Sequence, residues 1–279
     1  MAKNSAQSWN DCDDDIKQFV LDIVELLKSE LGNNLVGVYL HGSLAMGSYY
    51  RPKSDIDFIV VTKNKIGAVV AKSFGASIAK VAEKRPTTGS VELSIITADV
   101  AWNVPVPTPF EFHYSFEWHN KILKGEVDYD SDKTDIDLLS HLMYVRQRGV
   151  CLEGKSILEV FGEYDWKSFM DAVVDDFNWI IEGENIVQSP VYGVLNICRV
   201  LQLLNENNGK VHSKEEGGEW ALKNLPKEYN AVIQKALDIY RSFDEVNEDQ
   251  RRTGGQKWDR AELLAIRDYA KQSSIALNE

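Results

Sequence analysis

The sequence predicts an α/β (α+β) chain in which a small mixed-sheet domain precedes an α-helical bundle. Three observations lead to it. Strand-like alternation and helix-like periodicity succeed one another up to about Thr97, prolines cluster at Pro105, Pro107 and Pro109, and the pattern beyond them is nearly all helical. The 279 residues exceed the usual single domain, and 44% hydrophobic residues furnish core for two. The expected division is 1–98 for the sheet domain, 99–109 for a Pro-rich connector and 110–279 for the helical domain.

In chain order, Ile16, Phe19, Val20, Ile23, Val24, Leu27 and Leu31 sit at helical spacing, and Gly32-Asn33 ends that helix. A strand follows over Leu35 to Leu40, then the turn His41-Gly42-Ser43, then Leu44 to Tyr49 as the start of a short helix. Asp55-Ile56-Asp57 leads into the apolar strand Phe58-Ile59-Val60-Val61. Gly67 to Lys84 reads as a helix and Ser90 to Ile96 as an alternating strand whose one acid is Glu92. The prolines exclude a regular helix or central strand over Trp102 to Pro109. Asp132 to Arg148 is expected to be helical, with Ile136, Leu139, Leu142, Met143 and Val145 inward and Arg146, Arg148 and Gly149 at its end. Ser189-Pro190 suits the cap and first position of a helix carrying Val194, Leu195, Ile197, Leu201 and Leu204. Further helices are expected over Trp166 to Glu182, Glu215 to Asn224, Glu228 to Phe243 and Trp258 to Ser273.

The chemistry concentrates around the first turn. Side chains alternate faces along a strand, so Asp55 and Asp57 are expected to point one way while Ile56 and Phe58 enter the core. Two aligned carboxylates suit Mg²⁺, which binds through one or two carboxylates plus substrate phosphates. Gly42 lets the backbone approach a phosphate without a Cβ, and Ser43 adds a hydroxyl and an amide. A Gly-Ser turn alone is common, and so is Asp-x-Asp on a solvated strand. Together, in a strand-turn-strand context, they point to metal-dependent nucleotidyl transfer. Glu92, between Val91 and Leu93, is a third carboxylate suited to a general base.

Composition narrows the setting. No apolar run approaches the roughly 18 residues of a membrane span, and Asp11 with Asp13 to Asp15 is unlike a signal peptide, so a cytoplasmic chain without membrane contact is expected. Cys12, Cys151 and Cys198 have no metal or disulfide spacing. The net charge is −12. Up to Ala98 there are 11 acidic and 11 basic residues, and the remainder holds 32 acidic against 20 basic. Such a surface disfavours nucleic acid and favours a cationic small-molecule acceptor.

These residues carry a resemblance. Gly42-Ser43, Ser54-Asp55-Ile56-Asp57 and Val91-Glu92-Leu93, with Glu117-Trp118, Leu195-Asn196-Ile197-Cys198-Arg199, Gly209-Lys210, Lys214, Glu219-Trp220-Ala221, Leu225-Pro226 and Tyr229, resemble the aminoglycoside nucleotidyltransferases of the streptomycin and spectinomycin adenylyltransferase type. These form a branch of the DNA polymerase β-like nucleotidyltransferase superfamily, and the similarity covers about Leu35 to Tyr240. It implies ATP as donor, Mg²⁺ on the set Asp55, Asp57 and Glu92, and Glu92 as the base for the acceptor hydroxyl. Ser43 and Ser54 would then touch the triphosphate. Lys214, Tyr240 and Arg199 match nucleotide-contacting positions, and Trp118 matches a tryptophan lining the drug site.

Two departures accompany it. The spacer from Ser43 to Asp55 is one residue longer than in the resistance enzymes. In Phe177 to Tyr192, where the family places drug selectivity, Trp179 and Glu182 are the candidates, but no aspartate aligns without a register shift. The expected activity is therefore adenylyl transfer to an aminoglycoside or aminocyclitol hydroxyl. The alternatives are nucleotidyl transfer to another small molecule, a protein or an RNA end, and a non-catalytic nucleotide-binding regulator. A monomer is expected, with the helical domain as the acceptor wall of a cleft.

Overall fold

The structure is a computed structural model and describes residues 5–51 and 53–278. It divides into two compact units, residues 1–169 and 170–279.

In the first unit the chain order is α1 (Asp14–Leu31), β1 (Leu35–His41), α2 (Gly42–Met46), β2 (Ile56–Thr62), α3 (Ala68–Ala82), β3 (Val91–Thr97) and α4 (Ala98–Trp102). After these come β4 (Thr108–Phe110), β5 (Phe112–Tyr114), α5 (Phe116–Lys124), β6 (Lys133–Asp135), α6 (Leu138–Arg148), β7 (Val150–Gly154) and α7 (Ile157–Val160). The main sheet is mixed, in the order β5-β3-β2-β1-β7. Only the β2–β3 pair in it is parallel, with α3 as the crossover. β4 and β6 form a separate two-stranded ribbon.

The two sheet faces bury different layers. Ile56, Phe58 and Val60 pack under α1 and α3 with Ile23, Leu27, Phe74 and Ile78. Tyr39, Ile59, Val61 and Ile96 pack on the opposite face with Leu138, Leu142 and Val145 of α6 and with Phe161. The inward stripe of α1 matches its sequence pattern at all seven positions. Both layers follow from period 2 in the strands meeting period 3.6 in the helices.

The second unit comprises most of α8 (Trp166–Ile181), then α9 (Asn185–Gln188), α10 (Pro190–Glu206), α11 (Lys214–Asn224), α12 (Asn230–Arg241) and α13 (Arg260–Asn278). Its centre is α10, whose Val194, Leu195, Ile197, Cys198 and Leu201 are buried. Pro190 opens it as expected, although Ser189 makes no side-chain cap bond. Ser213 and Glu216 cap α11 reciprocally, a capping box. None of the helices, among the described residues, is long and apolar enough to cross a membrane.

Several expectations differ from what the structure holds. Residues 110–169 do not join the helical unit; they add β5 and β7 to the sheet and lay α6 on it, because the edges of β3 and β1 need partners for their backbone groups. The helix expected over Asp132 to Arg148 begins only at Leu138. Lys133–Asp135 is extended against β4, and Ile136 is exposed rather than inward. Within the expected connector, Ala98–Trp102 is a helical turn and Thr108 starts a strand.

Candidate active site

The sheet register brings the polar groups into line. His41 ends β1 opposite Asp57, and Asp57 lies beside Glu92 in the parallel β2–β3 pair. The row His41, Asp57, Glu92 therefore crosses three adjacent strands at one end of the sheet, on the face that α6 covers. Gly42 follows with φ +65°, a conformation that favours glycine. A Cβ at Gly42 would lie 1.9 Å from Oδ2 of Asp57, so this glycine makes room for the carboxylate at the turn.

Asp55 stands one residue before the start of β2. Its Oδ1 accepts a 2.5 Å hydrogen bond from the backbone N–H of Ser90. Strand alternation therefore does not by itself align it with Asp57. Ser54 is 9% exposed, and its Oγ accepts the Tyr50 N–H at 2.9 Å, closing the loop before β2. Gly89 lets this loop lie close, since a Cβ there would meet the Ser54 carbonyl at 1.9 Å. Ser43 lies in the first turn of α2, and its carbonyl accepts the N–H groups of Gly47 and Ser48.

Two further histidines, His141 and His113, lie near this row. His141 of α6 lies with Nδ1 3.9 Å from Oε1 of Glu92 and Nε2 3.1 Å from Oδ2 of Asp137. Its ring centroid is 4.9 Å from that of His41. Burial opposes the charge on His141, but Asp137, Glu92 and Asp57 together raise its pKa to about 10. His41 is held neutral, its pKa well below the ordinary histidine value because of burial and the neighbouring His141 charge. His113 hydrogen-bonds Ser94 Oγ through Nδ1 at 3.0 Å, and burial and His141 push its pKa down to about 4. The signal that would have pointed here is the pair Asp137 and His141 at i, i+4.

Trp118 stands in the first turn of α5, edge-on to His113 at 5.4 Å and to Phe110 at 6.4 Å. His113 pairs with Ser94, two residues beyond Glu92 along β3, and Trp118 also packs against the core layer under α1 and α3. A separate cavity of about 640 Å³ opens at the other end, against Leu35, Lys63, Trp102 and Lys155, and includes none of the three carboxylates.

In the second unit, Lys214 is the first residue of α11, and its Nζ lies 4.7 Å over the ring of Tyr192. The Tyr192 hydroxyl donates toward the Asp176 carboxylate, 2.9 Å from each oxygen. α11 lies close to the Arg199 backbone, as a Cβ on Gly217 would sit 2.6 Å from its N and Cα. Tyr240 is partly buried in α12. Trp179 is 45% exposed near the end of α8, with Glu182 exposed just beyond.

The donor set at the sheet end is hard oxygen, of the kind Mg²⁺ accepts. No group of three His, Cys, Asp or Glu side chains among the described residues converges closely enough to cage a metal alone. An Asp55–Asp57 pair still fits an ion that draws its other ligands from phosphates and water.

Comparison with known proteins bears on the whole arrangement. Residues 159–262 match the family described as "Aminoglycoside adenylyltransferase, C-terminal domain". Over 229 residues, 79% of this chain and 84% of the relative, the chain is 28% identical to a spectinomycin 9-adenylyltransferase of Staphylococcus aureus. It is 25% identical to an aminoglycoside (3'') (9) adenylyltransferase of Escherichia coli, covering 80% and 84% of the two chains. The fold matches that of a spectinomycin adenyltransferase from Enterococcus faecialis, solved with ATP and spectinomycin. The TM-score is 0.76 at 18% identity, covering 94% of this chain and 99% of that one.

Proposed function

We propose that the chain is an aminoglycoside adenylyltransferase, which transfers AMP from ATP to a hydroxyl of an aminoglycoside or aminocyclitol such as spectinomycin or streptomycin. The observation that carries the proposal is the register His41–Asp57–Glu92 beside the Gly42 turn, on a chain related to enzymes of that activity.

Glu92 takes the proton from the acceptor hydroxyl, whose oxygen bonds to the α-phosphorus as the bond to the β-phosphate oxygen breaks and pyrophosphate leaves. The Gly42-Ser43 backbone receives the phosphates. Asp55 and Asp57 would hold Mg²⁺, which when bound neutralises phosphate charge. Trp118 packs on a ring of the acceptor, with Trp179 and Glu182 contributing to acceptor choice. Arg199, Lys214 and Tyr240 contact the nucleotide, and Ser54, which also closes the loop before β2, contacts the triphosphate with Ser43. Orientation and preorganised charge supply most of the acceleration. One chain is the active unit.

A panel of spectinomycin, streptomycin, kanamycin and lincomycin with ATP and Mg²⁺, followed by pyrophosphate release, tests this reading. Release with spectinomycin or streptomycin is expected. Silence with every aminoglycoside and aminocyclitol, alongside release with an unrelated acceptor, would contradict it.

A further inference from the structure

We propose that His141 is a positioning residue that bridges Asp137 and Glu92 and fixes the Glu92 carboxylate for proton removal. The inference rests on the role given to Glu92 above.

Its basis is the way α6 is anchored. Asp137 immediately precedes the helix, and its Oδ1 accepts the Ser140 hydroxyl at 2.5 Å while its own N–H donates to Asp135 Oδ1 at 2.9 Å. The second oxygen of Asp137 then meets Nε2 of His141 at 3.1 Å, one helical turn on. That contact orients the ring so that Nδ1 faces Oε1 of Glu92. Leu138 and Leu142, either side of His141, are buried against the sheet, so the helix cannot rotate the ring away without exposing them.

The separation of 3.9 Å between Nδ1 and Oε1 is longer than a hydrogen bond. It is short enough that the ring, held by Asp137, limits the positions open to the Glu92 carboxylate. An Asp–His unit that orients a neighbouring catalytic group resembles the arrangement that holds histidines elsewhere in enzymes, with the carboxylate fixing the ring. The Glu92 side chain is 35% exposed, so a restraint on it has an effect.

Two measurements test the assignment. In steady-state transfer to spectinomycin, His141→Ala is expected to lower kcat 10- to 100-fold with the KM for ATP within about 2-fold, and His141→Gln to recover part of the loss. The double variant His141→Ala/Glu92→Gln should be no slower than Glu92→Gln alone, because a residue acting through Glu92 has nothing further to remove. Turnover of His141→Ala within 2-fold of wild type, or losses that multiply in the double variant, would overturn the assignment. The second measurement needs no acceptor. In ¹⁵N-histidine NMR of the full chain at fixed pH, with the signal assigned by its loss in His141→Gln, Glu92→Gln is expected to move the Nδ1 resonance of His141 and Asp137→Asn its Nε2 resonance. An unmoved Nδ1 resonance contradicts the bridge even if the wild type adenylylates no acceptor, an outcome that would instead count against the proposed function.

Discussion

At Gly42 the missing side chain is a steric requirement of the site. Its φ is +65° and a Cβ would overlap Oδ2 of Asp57, so Gly42→Ala must strain the backbone and displace the carboxylate together. Turnover is expected to fall 100-fold or more. Left-handed strain of about 1–3 kcal/mol should appear as a lower urea midpoint; unchanged turnover would show that the Asp57 position is not critical. A second residue-scale consequence concerns His113. Its folded pKa of about 4 lies below the unfolded value near 6.5, so stability is complete above pH 6.5 and falls as pH drops through 4. The loss has an upper bound of about 3 kcal/mol. In urea melts across that window, His113→Gln should lose less stability than wild type; equal losses would remove His113 as a cause. The residues that the sequence made legible were those whose spacing is local: Gly42, Asp57 and Glu92. His141 was missed because its meaning depends on α6 lying over β3, a contact between residues 49 positions apart.

Among the elements, α1 and α3 were readable because each has one buried face and so a clear period, and the three central strands because burial on both faces makes them short apolar runs. The strands β4, β5 and β6 are three residues each, too short for a period; β5 takes its hydrogen bonds from the longer β3, and β4 and β6 from each other. Asp132 to Arg148 shows the cost of reading period alone: Lys133–Asp135 pairs with β4, so helical spacing at Ile136 had no bearing. Helix contact in the second unit is a steric matter again. Gly217 of α11 faces the backbone of Arg199 in α10, where an added methyl has only 2.6 Å. Gly217→Ala is therefore expected to destabilise the chain by about 1–3 kcal/mol. It should also weaken ATP binding, as α10 and α11 carry Arg199 and Lys214. A urea melt and nucleotide titration check both, and an unchanged midpoint would mean that the helices part freely.

For the whole molecule, the charge pattern changes meaning once the units are known. Dividing at Ala98 placed all excess acid in the second part, yet residues 1–169 hold 24 acidic and 18 basic residues and residues 170–279 hold 19 and 13. Each unit is therefore acidic by six charges, and net charge favours a cationic ligand without locating its site. The kcat/KM for a multiply charged acceptor is accordingly expected to fall as salt rises from low to physiological concentration, through screening of the encounter. A salt-independent value would show that local contacts alone govern capture. The central claim, that Glu92 on a frame of Asp55 and Asp57 removes the acceptor proton during AMP transfer, is tested most directly by mass-spectrometric detection of adenylylated spectinomycin. Wild type should form the adduct with ATP and Mg²⁺, while Glu92→Gln should bind ATP normally and form it at least 100-fold more slowly. Adduct formation by Glu92→Gln at a rate near that of wild type would contradict it.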